Sequence, residues 1–396
     1  QRKYIYDIQG GEDGKKLYDA VQKAIDKAKL LADVVIGLGH LGVDPSSSPW
    51  TSEEVIAHTS GFDAFIDGHS HTVMENKQVQ DASGKAVTLT QTGSYFANVG
   101  EMTIAADGTI TTKLIPTHEG MDAGIAAMQT GWVNTVDDML GEKIAVGDSD
   151  FYVSDPATGK RRIRSAETNL GDFVADGIYT YFNEVEKLHC DVAIMNGGGI
   201  RADVPAGDWT FKTCKQVSPF GNVACLMSVT GKQIQDALEF AARFAGEDGK
   251  ENGGFLQVAG ATYEIHTDIP NTVQTDEKNV WIGSATGTPR VQNVKIYDKA
   301  SGSYLPLDPG ATYALAGMNY TLRNLGDGFA MFDGAELIKD YVSEDYLVMS
   351  TYAMIFDGAD AAGLPHLSSA NSPLAAYPGY LLNYEQPYGA GRITIL

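Results

Sequence analysis

Between residues 15 and 73 the chain switches repeatedly between two hydrophobic periods, and that alternation restricts its fold more than any other feature. "KKLYDAVQKAIDKAKL" (15–30) sets Leu17, Val21, Ile25 and Leu30 at helical spacing. "ADVVIGLGHLG" follows, with the run Val34, Val35, Ile36 expected of a strand buried on both faces. "SEEVIAHTSG" reads as a short helix with Ser52 as its N-cap, and "FDAFID" as a second buried strand. Helix and strand in alternation predict an α/β unit. Open α/β folds carry their sites beyond the carboxyl ends of strands. His40 falls there after the first run, and His69 and His71 after the second.

Over 77–116 the pattern becomes short alternating runs, "KAVTLTQTG" and "GEMTIAADGTITTKLIP", with Ala-Asp-Gly as a hairpin signal. "GMDAGIAAMQTGWVNTVDDMLG" is helical, has no catalytic-looking residue, and reads as a connector. Beyond it an α+β unit is expected, with strands "DVAIMN", "ATYEIHT", "NVKIYD" and "ATYALAGM" and helices "LGDFVADGIYTYFNEVEK" and "GKQIQDALEFAARFA". The expected organisation is therefore 1–117, a connector at 118–141, and 142–396.

Charge narrows the partners. Acidic residues outnumber basic ones 51 to 29, a net charge of −22, which repels polyanions and argues against a nucleic-acid polymer as ligand. No apolar stretch approaches the roughly 18 residues of a membrane helix, so no membrane span is expected. The cysteines, Cys190, Cys214 and Cys225, match no zinc-binding spacing and read as buried thiols. The opening "QRKYIYDIQGGEDGKK" has neither a Met nor an apolar signal core and reads as an internal starting point.

Three groups of residues carry chemistry. His40 alone is equally a loop histidine. Together with His69 and His71 at matching strand ends it predicts a metal site, because residues i and i+2 of an extended segment face one side. No glutamate of the zincin type accompanies them. A dinuclear nitrogen–oxygen site completed by carboxylates fits better, for Mn, Zn, Co or Fe. In "AIMNGGGIRADVPAG", Gly197, Gly198 and Gly199 allow either a tight turn or a close backbone approach to a ligand through exposed N–H groups. Asn196 adds an amide, and Arg201 a planar fork for phosphate or carboxylate. "RRIRSAETNLGD" clusters Arg161, Arg162 and Arg164, a solvated charge run or, at Arg164, an anion contact. Phe220 in "SPFGN" and Tyr320 in "MNYTLRNLGDGF" are either core rings or a clamp for a planar base.

In order, "GHLG", "DGHSH", "ETNLGD", "NGGGIRADVPAGD", "PFGN", "FLQVAG" and "NLGDGF" resemble the 5′-nucleotidase family over nearly the whole chain. The resemblance implies an α/β calcineurin-like metallophosphatase domain, here the C-terminal part of its two-sheet sandwich, followed by an α+β 5′-nucleotidase C-terminal domain that selects the substrate. It implies two divalent metal ions, with His40, His69 and His71 among their ligands. Arg164 and Arg201 would grip the phosphate, and Asn196 and the backbone at Gly198 would contact the ligand. Phe220 and Tyr320 would sandwich the base, and Asp327 would take the ribose hydroxyls. Leu325 stands where the family has glycine, which bears on the path of the 325–328 loop.

Ahead of His40, where the family carries its Asp-x-His, Gly-Asp and Asn-His-Glu motifs, this sequence has none of them. The catalytic histidine and the remaining ligands are therefore expected upstream, or in a missing N-terminal part of the catalytic domain acting as partner. The implied activity is metal-dependent hydrolysis of nucleoside 5′-monophosphates, the isolated chain being inactive. Alternatives are a 2′,3′-cyclic-nucleotide phosphodiesterase, a nucleotide-sugar hydrolase, or a catalytically incomplete nucleotide-binding fragment. The resemblance also implies an extracytoplasmic location.

Overall fold

The first helical repeat folds as Lys15–Lys29, burying Tyr18 and Ile25, with Lys27 and Lys29 in the last turn where the helix dipole favours cations. Leu30 lies past that turn and is 84% exposed, so it leaves the stripe it was expected to complete. The computed structural model describes residue 10 and residues 13–44, 47–94, 96–117, 120–247 and 251–396. Residues 1–9, at the start read as internal, lie outside the described residues. The chain divides into two units, Gln1–Ala126 and Ala127–Leu396.

In the first unit a four-stranded sheet runs in the order Ile36–Leu38, Ala64–Ile66, Ala86–Thr92, Val73–Gln80. The first two strands pair in parallel, with Ile36 opposite Ala64. The Ile36–Leu38 strand starts two residues later than its β-branched run suggests. It is also an edge strand: Val35 is buried, but Leu38 is 83% exposed. The expectation of burial on both faces is not met: Ile36 and Leu38 share a face left exposed among the described residues, while Gly37 on the opposite face is buried. The next helix, Ser52–Ala57, is capped by Thr51, not Ser52: Thr51 accepts from the Glu54 N–H while the Glu54 side chain accepts from the Thr51 N–H. Ser52 sits inside the first turn and gives its hydroxyl to the Gly42 carbonyl at 3.2 Å. The hairpin signal holds: Asn98–Ile104 pairs antiparallel with Ile110–Pro116. The helix Ala123–Leu140 contains the unit boundary and buries none of its residues.

In the second unit a five-stranded sheet runs Leu256–Ala259, Val192–Asn196, Thr312–Met318, Ala224–Thr230, Glu336–Lys339. Strand period two sends alternate side chains into two separate cores. Ala193 and Met195 join one with Phe173 and Tyr352 of the helices Asn169–Thr180 and Asp345–Met354. Val192 and Ile194 join the other with Leu238 and Phe240 of the helix Gly231–Ala241. A second sheet, Ser303–Pro306, Val291–Asp298, Ala261–Ile265, Ile393–Ile395, brings the end of the chain alongside. There the fully buried Arg392 bonds Asp176 at 2.7 Å, and Glu167 accepts the N–H groups of Gly391, Arg392 and Ile393. All three cysteines are free and buried; burial pushes the Cys214 and Cys225 thiols up to about 12, away from reactive thiolate. Among the described residues no helix is long and apolar enough to cross a membrane.

Candidate functional site

In the first unit Asp67, directly after the Ala64–Ile66 strand, organises the histidine loops. Its carboxylate accepts from the Leu41 N–H at 2.9 Å, the Gly42 N–H at 3.1 Å and Gln91 Nε2 at 3.1 Å. It therefore fastens the "GHLG" loop to the "DGHSH" turn. Two glycines make room for the rings: a Cβ on Gly68 would come within 2.9 Å of His40 Nδ1, and one on Gly42 within 3.1 Å of His69 Cδ2. The imidazoles of His40 and His69 meet edge to face, centroids 5.3 Å apart. His69 and His71 have φ of 75° and 55°, so the segment is a left-handed turn and not the extended stretch that would align them. Among the described residues no three His, Cys, Asp or Glu side chains converge into a metal-binding group. Two facing imidazoles are part of a donor set. They lack the carboxylate oxygens a two-metal centre needs, so the described residues do not by themselves fit such a centre.

In the second unit the predicted substrate residues gather where the Val192–Asn196 strand ends. Asn196 donates from Nδ2 to Asp327 Oδ2 at 3.2 Å, and the Tyr320 hydroxyl donates to Asp327 Oδ1 at 2.8 Å. Burial, with Asp327 close by, pushes the Tyr320 phenol up to about 12. The glycine triplet turns out to be a packing device. A Cβ on Gly197 would lie 2.3 Å from the Ile163 carbonyl oxygen, and the N–H groups of Gly197 and Gly198 bond the Phe255 and Gly253 carbonyls at 2.7 and 2.8 Å. Those two N–H groups already have partners, so of the two readings the sequence allowed, these two glycines take the tight turn.

The arginine cluster separates into two kinds of residue. Arg162 is structural, giving Nε to the Glu167 carbonyl at 2.8 Å and lying over the Tyr388 ring. Arg161 donates to the Arg201 carbonyl at 3.3 Å, and Arg201 to the Gly198 carbonyl at 3.3 Å. Burial and then the charges of Arg161 and Arg201 hold Arg164 below the usual guanidinium value. Positive charge is concentrated here in a chain of net −22, which favours an anion. The Arg164 Nε and Asn196 Oδ1 atoms are buried without a hydrogen-bond partner among the described residues. Unpaired polar atoms at a strand end cost stability unless a ligand satisfies them.

Phe220 is 58% exposed and Tyr320 37%, so neither ring is a core residue. Arg201 lies over Phe220, its guanidinium carbon 5.6 Å from the ring centroid. The two aromatic segments are linked: the Val223 N–H bonds Asn319 Oδ1 at 2.9 Å, and the Asn319 N–H bonds the Val223 carbonyl at 2.8 Å. Leu325 adopts φ 56°, the left-handed conformation a glycine would take without strain.

Sequence reasoning missed the supports. Gln257 donates to the carbonyls of Ile163 and Ala166, fixing the segment that carries Arg164. Asn252 donates to the Ala241 carbonyl and accepts from the Gly254 N–H. Arg243, buried beside the rings of Phe240 and Phe244, is pushed down to about 10 by burial, opposed by the charge of Asp327. A polar residue within an apolar run, Gln257 in "FLQVAG", was the one available signal.

Residues 145–334 match the protein family described as 5′-nucleotidase, C-terminal domain. The trifunctional nucleotide phosphoesterase protein YfkN of Bacillus subtilis (strain 168) is 30% identical over 328 residues, 80% of this chain and 20% of that protein. The apyrase of Tabanus yao and the 5′-nucleotidase of Homo sapiens are each 26% identical, over 85% and 84% of this chain. This chain spans 62% and 58% of their lengths. The crystal structure of a 5′-nucleotidase precursor from Thermus thermophilus superposes with TM-score 0.56 and 22% identity, covering 96% of this chain and 67% of that one. A putative 5′-nucleotidase from Staphylococcus aureus gives TM-score 0.57 at 16% identity, with the same coverage. At these identities the likeness concerns the fold: a metallophosphatase-type α/β unit followed by an α+β C-terminal unit.

Proposed function

We propose, from the match of residues 145–334 to the 5′-nucleotidase C-terminal domain, that the second unit binds a nucleoside 5′-monophosphate for hydrolysis to nucleoside and phosphate. Phe220 and Tyr320 take the two faces of the base, Asp327 receives the ribose hydroxyls, and Arg164 and Arg201 hold the phosphate. Asn196 contributes its free carbonyl oxygen to the ligand, and Gly198 the smooth backbone beneath it. One observation carries the reading. At a single strand end, two buried polar atoms without partners stand among guanidinium groups and beside exposed rings.

Chemistry on the phosphoryl group belongs to the first unit. His40, His69 and His71 are proposed as part of the donor set for divalent ions of the Mn, Zn, Co or Fe class, a set that the described residues do not complete. What this chain's own residues contribute is binding and orientation of the nucleotide and absorption of phosphate charge by arginine. Among the described residues no three His, Cys, Asp or Glu side chains converge, so the polypeptide by itself is expected to release negligible phosphate from AMP even with added Mn. The partner this implies is the remainder of a metallophosphatase domain, and the proposed location is extracytoplasmic.

Isothermal calorimetry with AMP and the 396-residue chain tests the binding half. The expected result is saturable binding that weakens on Phe220→Ala, by roughly 1–3 kcal/mol for a lost base stack. Affinity unchanged in that variant would remove the clamp. The Bacillus subtilis relative's name, a trifunctional nucleotide phosphoesterase protein, supports a reading wider than one phosphoester, and a 2′,3′-cyclic nucleotide is one candidate. Competition by a 2′,3′-cyclic nucleotide as strong as by AMP would favour it.

A further inference from the structure

Tyr320 makes two contacts with one short loop, and only one of them involves the face of its ring. The backbone at Gly326 closes against the ring: a Cβ there would lie 2.5 Å from Tyr320 Cζ. The hydroxyl reaches past it to Asp327 Oδ1 at 2.8 Å, while Asn196 Nδ2 holds Asp327 Oδ2 at 3.2 Å. Leu325 and Asp327 both sit at positive φ, 56° and 54°, a region uncommon for leucine and better tolerated by aspartate, and the two hydrogen bonds fix where the carboxylate points. Each carboxylate oxygen can accept two hydrogen bonds. With one donor from the protein on each, the carboxylate is held at both ends and keeps one lone pair per oxygen.

We infer that the Tyr320 hydroxyl is a positioning group: it fixes the Asp327 carboxylate for a pair of adjacent ligand hydroxyls and so sets a preference for ribonucleosides over deoxyribonucleosides. This rests on the nucleoside site proposed above and adds to the ring's stacking role a second one, acting through Asp327. A phenylalanine at 320 would keep the stacking face and lose the bond to Asp327. Diol recognition and base stacking are then separable, and discrimination on the sugar resides in one oxygen atom of the aromatic residue.

Calorimetry with adenosine and 2′,3′-dideoxyadenosine tests this on the full chain as wild type, Tyr320→Phe, Asp327→Ala and the double variant. Melting curves establish that each is folded; Tyr320→Phe removes one oxygen from a part-exposed residue. Adenosine should bind about tenfold more weakly to Tyr320→Phe, the scale of one lost hydrogen bond. Binding of the dideoxynucleoside should change less than about twofold, stacking being retained. In the Asp327→Ala background, Tyr320→Phe should cause no further loss, as expected when one residue acts only through the other. A wild-type preference for adenosine that survives in Tyr320→Phe overturns the inference. So does an undiminished Tyr320→Phe effect without Asp327, or equal wild-type affinity for the two ligands. Failure of the wild-type chain to bind either nucleoside overturns the proposed site along with it.

Discussion

Asp345 opens the helix Asp345–Met354 and secures the segment that carries Phe220. Its Oδ2 accepts from the Asn222 N–H at 3.1 Å, its Oδ1 from the Tyr346 N–H at 2.9 Å, and its own N–H bonds the Asn222 carbonyl at 2.8 Å. Burial raises this carboxyl from 3.8 to about 6. A folded-state value above the unfolded one means that the folded protein holds the proton more tightly. The associated stability is fully present below about pH 3.8 and is lost as pH rises through about 6. At about 1.36 kcal/mol per pH unit, the ionised side chain costs roughly 3 kcal/mol at pH 7. Asp345→Asn removes the charge and leaves one of the two N–H groups facing an amide NH2, a loss of about 1 kcal/mol. The variant should therefore be more stable by roughly 2 kcal/mol at pH 7, and equal to or slightly below wild type at about pH 4. Urea unfolding of both proteins at about pH 4, 5.5 and 7, followed by near-UV circular dichroism, measures the difference. Parallel pH dependences, or a variant no more stable at neutral pH, would refute the reasoning.

Two further substitutions probe the sites. Asp67→Asn should destabilise the first unit by about 2–4 kcal/mol, since an amide cannot accept from all three donors that the carboxylate now satisfies; urea unfolding checks it, and nuclear magnetic resonance should show the His40 and His69 ring signals shifting as their loops part. Gly326→Ala would drive a methyl group into the Tyr320 ring, so AMP affinity should fall at least tenfold although no polar contact is removed, a loss of about 1.4 kcal/mol or more by calorimetry.

The sequence disclosed local order well where the signal itself is local, as periodicity or turn chemistry. The helix Lys15–Lys29, the hairpin pairing Asn98–Ile104 with Ile110–Pro116, and the strand Val192–Asn196 are examples. It misled where neighbours decide. The Val34–Ile36 run looks like a central strand, yet the strand it feeds lies at a sheet edge with Leu38 facing solvent. The glycine triplet allowed a tight turn or open N–H donors, and only the nearby Ile163 carbonyl, which excludes a side chain at Gly197, decides for the turn. Gln257, which anchors the Arg164 segment, pairs with a carbonyl 94 residues away, a contact with no local signature. The alignment of His69 with His71 assumed extended backbone, and both residues instead take positive φ. Residue type pointed to the chemistry; long-range packing determined which atoms remain available for it.

A crystal structure of the chain with adenosine tests the central claim most directly. The purine should lie between the rings of Phe220 and Tyr320, with a ribose hydroxyl oxygen about 2.7 Å from an Asp327 carboxylate oxygen. A nucleoside seated elsewhere, with Asp327 still bonded only to Tyr320 and Asn196, would contradict it.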